Sequence, residues 1–372
     1  YYGEANSLTN EATHFTAGPP KHIEIPLVQE RENTDLIVRN GFPPFVTGFV
    51  PEGVNLDTRY DFTPTMYVSQ WFFDLQQNLP GDILLTLGYN GTKTTHAAYS
   101  RNINDPKTPH PTIQAQQRRI RPEYNAISLV EFAGNANYNA LTIKGEKRFS
   151  KGFTFLSSFT WAHNIDQAEE NLLQGGSGRA TDWDLSRERA NSTLDRRLAW
   201  VTSTLYELPF GKGRPYLSSG VGSWILGGWQ VGGIVSLLAG TPVDHSINVD
   251  NQNLGGRVRG DYVRNPNLPG SERSIDRWFD TEFVVPSAPG VISNAGRNLI
   301  YAPGSRNLDL IVTRSFVMPW EGHYVQFRAE AFNATNTPNF GAPNAGVGSP
   351  GVGRIDQADE PRRLQFALKY VF

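Results

Sequence analysis

The feature that most limits what this chain can become is a two-residue alternation of apolar and polar side chains, repeated in segments of about ten residues. Successive side chains of a strand point to opposite faces, so the alternation predicts strands with one apolar and one polar face. In 66–78, Trp71, Phe73 and Leu75 share one face while Gln70, Asp74 and Gln76 share the other, with Phe72 out of place. Leu79-Pro80-Gly81-Asp82 is a tight turn, after which Ile83, Leu85, Leu87 and Tyr89 oppose Leu84, Thr86, Gly88 and Asn90. The pattern returns in 138–149, 153–161, 198–208, 229–237, 308–318, 324–332 and 363–372, so that nine strands are expected.

The connections alternate too. Short turns at 79–82, 150–152 and 320–322 are interleaved with long polar stretches at about 91–135, 164–196, 241–304 and 333–361. The link 209–228 is intermediate, with room for a short helix near Trp224. Short turns at one end and long loops at the other is how a membrane barrel with periplasmic turns and extracellular loops is built. A soluble sandwich or propeller has no reason to gather its long loops at one end.

The two faces carry the same message. Trp71, Tyr89, Phe149, Trp161, Trp200, Tyr206, Trp229 and Tyr370 lie near the ends of the apolar faces, where membrane barrels place aromatic girdles. The opposite faces hold Asp74, Lys144, Glu146, Arg148, Arg328, Glu330 and Lys369, which must meet water or an internal plug. The expected fold is therefore all-β, an antiparallel transmembrane β-barrel with about nine strands, long extracellular loops and short periplasmic turns. Residues 1–64 read as an irregular loop segment of an upstream part of the barrel, with a short strand near 22–28, and 65–372 as its C-terminal portion. Single-chain bacterial barrels have even strand numbers. Nine strands, and a start at Tyr1-Tyr2-Gly3 without an initiator Met, lead us to expect a fragment of a longer protein.

Composition narrows the chemistry. A formal net charge of -2 gives no general attraction to nucleic acid. The absence of cysteine removes disulfides, thiolate metal sites and cysteine nucleophiles. No stretch reaches the roughly 18–20 apolar residues of a transmembrane helix, a test to which barrels are blind.

Candidate motifs mostly fall away. The 346–351 segment fits G-x-G-x-x-G but contains Pro350 and is followed by no helical pattern, so it reads as a flexible loop rather than a dinucleotide site. Asp182, Asp184, Glu188 and Asp195 could gather around Ca²⁺, but Arg187, Arg189, Arg196 and Arg197 are as close, and salt bridging between loops is the plainer reading. His96, His110 and His163 read as solvated loop residues. Glu169 and Glu170 lack a companion pattern for glycosidase work, and the acceptor sequons at Asn90, Asn191 and Asn333 are read as chance. No catalytic motif, cofactor site or metal site is expected, and the chain is read as not an enzyme.

Several stretches in order resemble the C-terminal barrel of TonB-dependent receptors of the Oar-like group. They include 76–81, 87–93 (Leu-Gly-Tyr-Asn-Gly-Thr-Lys), 137–141, 148–152, Thr160-Trp161, Leu208-Pro209-Phe210-Gly211, Gly228-Trp229-Gln230, Gly240-Thr241-Pro242 and 327–333 (Phe-Arg-Ala-Glu-Ala-Phe-Asn). The resemblance runs from about residue 60 to the end. It implies a barrel of about 22 strands, an N-terminal plug, often a carboxypeptidase-regulatory-like domain before it, and energised uptake through TonB. Neither plug nor TonB box precedes residue 60, so both are expected upstream. Outer-membrane lipid, the barrel-assembly machinery and an unidentified ligand complete the expected partners. Lys144, Glu146, Arg148, Arg328 and Glu330 are the lumen-facing candidates for ligand contact, the plainer reading being pairing across strands or with the plug. Phe366, Leu368, Tyr370 and Phe372 resemble the terminal signal by which outer-membrane barrels are recognised for insertion. The function expected is uptake of a ligand through the barrel lumen. The alternatives are a structural or adhesive outer-membrane barrel and a soluble β-rich binding protein.

Overall fold

The computed structural model describes residues 54–59, 64–167, 180–181 and 183–372. The expected strand at 22–28, along with Glu169, Glu170 and Asp182, lies outside the described residues. Nine long strands form one sheet: β1 (Tyr67–Leu79), β2 (Ile83–Asn102), β3 (Tyr124–Ser150), β4 (Phe153–Asp166), β5 (Leu198–Glu207), β6 (Trp229–Leu238), β7 (Ser305–Val317), β8 (Tyr324–Phe332) and β9 (Arg363–Val371). Each is hydrogen-bonded antiparallel to its neighbour in sequence, from β1 at one margin to β9 at the other. A short strand, Val54–Arg59, pairs parallel with the start of β3. Among the described residues β1 and β9 do not meet, so the sheet is an open segment of barrel wall.

The register carries the apolar face from strand to strand. Leu75 stands opposite Leu87, Leu87 opposite Ile143, Ile143 opposite Phe159, and Phe159 opposite Trp200. Across the far half, Phe153, Tyr206, Val231, Val312, Ala329 and Phe366 form another such row. A one-residue slip would turn every one of these side chains to the other face, so burial of one face in lipid fixes the register. On β4, the eight steps from Phe153 to Trp161 span roughly 26 Å along the strand at about 3.3 Å each. Strand tilt brings that near or below the apolar band of about 25 Å, with an aromatic at each edge. Small polar groups on this face satisfy one another: Ser157 and Thr202 hydroxyls are 2.7 Å apart, and the Trp200 indole N–H donates to Ser157 at 2.9 Å.

Gly91 shows why one residue of the apolar face is bare. The Trp71 ring lies across it from the next strand, and a Cβ at 91 would stand 2.2 Å from the indole. The ring covers the gap that the glycine leaves.

One expectation about the connections needs correction. The polar stretch 91–135 is largely strand, since β2 runs on to Asn102 and β3 begins at Tyr124, with bulges near Ala97. Above the lipid band both faces of a hairpin meet water, so alternation stops while the backbone ladder continues. The buried core, moreover, is not under the sheet. The largest fully buried side chains include Arg259, Phe279, Phe283, Ile300, His245, Gln252 and Glu188, all beyond the strand ends in the long connections. The expected short helix is present, α1 (Gly220–Leu226) in the β5–β6 link.

The base of the β6–β7 connection is closed by Ala302 N–H donating to Thr241 at 2.9 Å and by Ile300–Tyr301 pairing with Pro242–Val243. A Cβ on Gly240 would fall 1.7 Å from the Ala302 carbonyl oxygen. Gly240→Ala is expected to push the two arms apart at a cost of about 1–3 kcal/mol, seen as faster hydrogen exchange in 239–304 while the β3–β4 ladder stays protected.

Candidate functional site

The described parts of the four long connections fold into one layer at the loop end of the sheet. Its apolar core is Phe279, Phe283, Val284, Ala295 and Ile300, with Val243 and Trp278 from the same connection and Ala345, Val347 and Val352 from the last one packed against it. Phe279 and Phe283 meet edge to face at 5.9 Å. The Gly346–Val347 pair forms a parallel bridge with Ser246–Ile247. The G-x-G-x-x-G segment is therefore no flexible loop but a packed wall of this layer, because Val347 has an apolar surface to cover.

An ionic network joins the layer to the sheet. Arg259, 1% exposed, lies 3.0 Å from Glu188, which is wholly buried, and 3.2 Å from Asp244. Burial pulls the Arg259 pKa down, but the Asp244 and Glu188 carboxylates outweigh it and raise it, so the guanidinium stays charged. Arg257 adds a second cation 3.6 Å from Asp244. Arg297 reaches the Asp166 carboxylate at the loop end of β4, and donates to the Glu188 carbonyl at 3.1 Å. Glu188 also accepts from Ala180 N–H at 2.9 Å. Three carboxylates thus face three guanidiniums, and the loop-to-loop pairing expected for the 182–197 cluster is what Glu188 makes. Asp184 instead caps a short turn through Ser186 N–H. Among the described residues no group of three or more metal-ligating side chains is gathered.

Trp183 fastens the second connection to the β2–β3 hairpin. Arg101 and Lys107 lie over its ring at 4.9 and 4.6 Å, and its N–H donates to the Asp105 carbonyl at 3.0 Å. The histidines are more tied down than expected of solvated loop residues. His163 lies 3.0 Å from Asn191 and 2.9 Å from Arg197, His110 Nδ1 accepts two backbone N–H groups, and His96 lies 3.3 Å from the Thr65 carbonyl.

His245 sits at the centre of the layer. Its Nε2–H donates to the Arg259 carbonyl at 3.0 Å, and its ring packs on Phe283. Burial lowers its pKa to about 4, against a smaller upward pull from Asp244. The unfolded chain takes up this proton nearer pH 6.5. The layer is therefore unburdened above that pH and loses stability as pH falls from about 6.5 through about 4. Proteolysis of the loops should speed up over that window, and His245→Gln should flatten the dependence.

On the wall below, the register sets Lys144 opposite Thr86 and Ser158, and Glu146 opposite Leu84 and Leu156, all on the polar face. Lys144 and Glu146 pair at 3.0 Å, and Arg328 and Glu330 at 2.5 Å. The two pairs are separated by four strands in the sheet, β4 to β7. Arg148 falls in the irregularity where β3 turns into β4, between Lys147 and Ser150. Phe366, Leu368 and Tyr370 line the apolar face of β9 opposite Ala329, Phe327 and Val325. Tyr370 and Phe372 stack at 5.9 Å.

A one-layer antiparallel wall, apolar and ringed on one face and polar on the other, with its loops gathered at one end, defines an outer-membrane β-barrel. The chain matches the outer membrane beta barrel domain family over residues 1–365, and it belongs to that family. It is thereby a protein of the outer membrane, as the sequence resemblance implies. No curated protein matches it. Among solved structures it is similar to the outer membrane transporter YddB from Escherichia coli, at 9% identity and a TM-score of 0.48, over 87% of this chain and 34% of that one. It is also similar to BauA, the ferric preacinetobactin receptor from Acinetobacter baumannii, at 13% identity and a TM-score of 0.42, over 83% of this chain and 30% of that one. The ferripyoverdine receptor of the outer membrane of Pseudomonas aeruginosa follows at 10% identity and a TM-score of 0.43, over 84% and 28%. The chain spans about a third of the length of these proteins.

Proposed function

We propose that this chain is the C-terminal part of a TonB-dependent transporter, in which the loop layer captures a ligand and the polar wall lines its path inward. The observation that carries the reading is the loop layer itself. Connections that only closed a barrel would need no apolar core and no ionic network built around a buried Glu188–Arg259 pair, whereas a receptor surface needs its shape held before the ligand arrives. The ordered set of sequence stretches resembling the Oar-like group supports the TonB link. Lys144, Glu146, Arg148, Arg328 and Glu330 are then lumen contacts, the plug and TonB are partners of the full-length protein, and the alternating face of β9 that ends in Phe372 is what the barrel-assembly machinery reads. The reaction is transport, with no chemical change of the ligand and no enzyme activity.

The test is uptake by cells carrying the full-length protein, with and without TonB, given labelled siderophore, vitamin, glycan and peptide in turn. Accumulation of one class that needs both proteins supports the reading. Binding at the cell surface with no accumulation in either strain replaces it with an adhesive or structural role.

A further inference from the structure

We infer that the β5–β6 link is a membrane-surface anchor, with α1 lying in the headgroup region of the phospholipid leaflet on the turn side of the barrel. The inference rests on the outer-membrane placement and not on the transport reading.

Three observations carry it. The first is position. The register sets Trp229 opposite Arg314 and Arg314 opposite Phe327, so Arg314 projects from the apolar, lipid-facing side of the sheet, close to its turn end. Its guanidinium donates to the carbonyls of Ile225, at 2.8 Å, and Trp224, and it lies over the rings of Trp229 and Phe316 at 5.4 and 4.4 Å. Trp229 Nε1 donates to Ile225 as well, at 3.0 Å. The C-terminal end of α1 is thereby fastened to the outside of the wall, continuous with the face that meets lipid. Those carbonyls have no partners within the helix, and a cation on the lipid face is costly unless something satisfies it.

The second is exposure. Val221 and Trp224 stand three residues apart on α1 and so share one of its faces, and they are 73% and 70% exposed although both are apolar. Tyr216 and Ile225 are exposed beside them. On a water-facing surface that patch would be a liability. The third is charge. Residues 215–243 contain no Asp, Glu, Lys, Arg or His, while Lys212, just before them, is exposed. An uncharged apolar helix with a tryptophan, entered past a lysine, suits the boundary between acyl chains and phosphate.

These 372 residues contain no cysteine, and any cysteine elsewhere in the full-length protein is first replaced by serine. In the full-length protein, single variants Val221→Cys and Tyr216→Cys are labelled with an environment-sensitive fluorophore, as is Leu194→Cys, an exposed site in the loops. Each is reconstituted in vesicles of phosphatidylethanolamine and phosphatidylglycerol. The expected result is blue-shifted emission at 221 and 216 that is lost when the lipids carry a quencher near the headgroup, with neither effect at 194. Water-like emission at 221 and 216 overturns the anchor. Blue-shifted emission that lipid quenchers leave untouched also overturns it, and assigns the patch to a protein contact.

Discussion

Arg259→Ala should unfasten the loop layer and leave the barrel wall standing. The side chain is 1% exposed and bonds to Glu188 and Asp244. Its removal takes from a wholly buried carboxylate its 3.0 Å partner and leaves it the Ala180 N–H and the Arg297 guanidinium, 4.0 Å away. Breaking a buried pair in this way costs about 3–5 kcal/mol, more than the pair itself contributes, because the surviving charge has lost its hydration. The expected readout is rapid hydrogen exchange and proteolysis in the connections 183–197 and 239–304 of the full-length protein, with β5 and β6 still protected and an unboiled gel band that still runs as a folded barrel. The double variant Arg259→Leu/Glu188→Gln removes both charges and should recover much of the loss, since replacing a whole buried pair is far milder than halving it. Loops that stay protected in Arg259→Ala, or a barrel that unfolds with them, would show that this network does not hold the layer.

The network also marks where sequence reading stops. The strands were legible because each is decided locally. Leu85, Leu87 and Tyr89 alternate with Leu84, Thr86 and Gly88, and no distant residue is needed to say which face is which. Glu188 and Arg259 lie 71 residues apart, and Arg297 and Asp166 lie 131 apart. The charges around Glu188 suggest salt bridges, but nothing in their spacing points to Arg259 or Arg297 as partners. Phe279, Phe283 and Ile300 sit in a stretch without period, so a core hidden in a loop leaves no trace in the alternation. The extension of β2 to Asn102 escaped for a related reason. Once a hairpin rises above lipid, polar residues suit both faces and period two no longer reports on the backbone. His245 stands between these cases. A lone histidine is visible in sequence, but only its burial against Phe283 and the Arg259 carbonyl makes it matter. The lumen candidates are legible as a face and illegible as a site. Register sets Lys144, Glu146, Arg328 and Glu330 on one side of the sheet, while four strands separate the two pairs.

That face assignment can be put under a stronger load with two adjacent residues. Ile143 projects from the lipid side between Leu87 and Phe159, and Thr142 from the other side between Gly88 and Thr160. An arginine at 143 would bring a cation into the middle of the apolar row, where such a substitution costs about 2–4 kcal/mol in a barrel. At 142 the same side chain would enter a polar wall. The Asp74 carboxylate stands across from Gly88, 2.5 Å from where a Cβ on that glycine would be, and a neighbouring guanidinium has a partner there. Ile143→Arg should therefore lower the urea midpoint of the full-length protein in phospholipid vesicles, read as the fraction of unboiled folded band. Thr142→Arg should shift it by under about 1 kcal/mol, the scale of an exposed ion pair. Propensity cannot explain such a difference, because the residue introduced is the same and the positions are neighbours on one strand. Only a wall with lipid on one side and water on the other makes them unequal. Equal losses at 142 and 143 would mean that protein, not lipid, covers the apolar face.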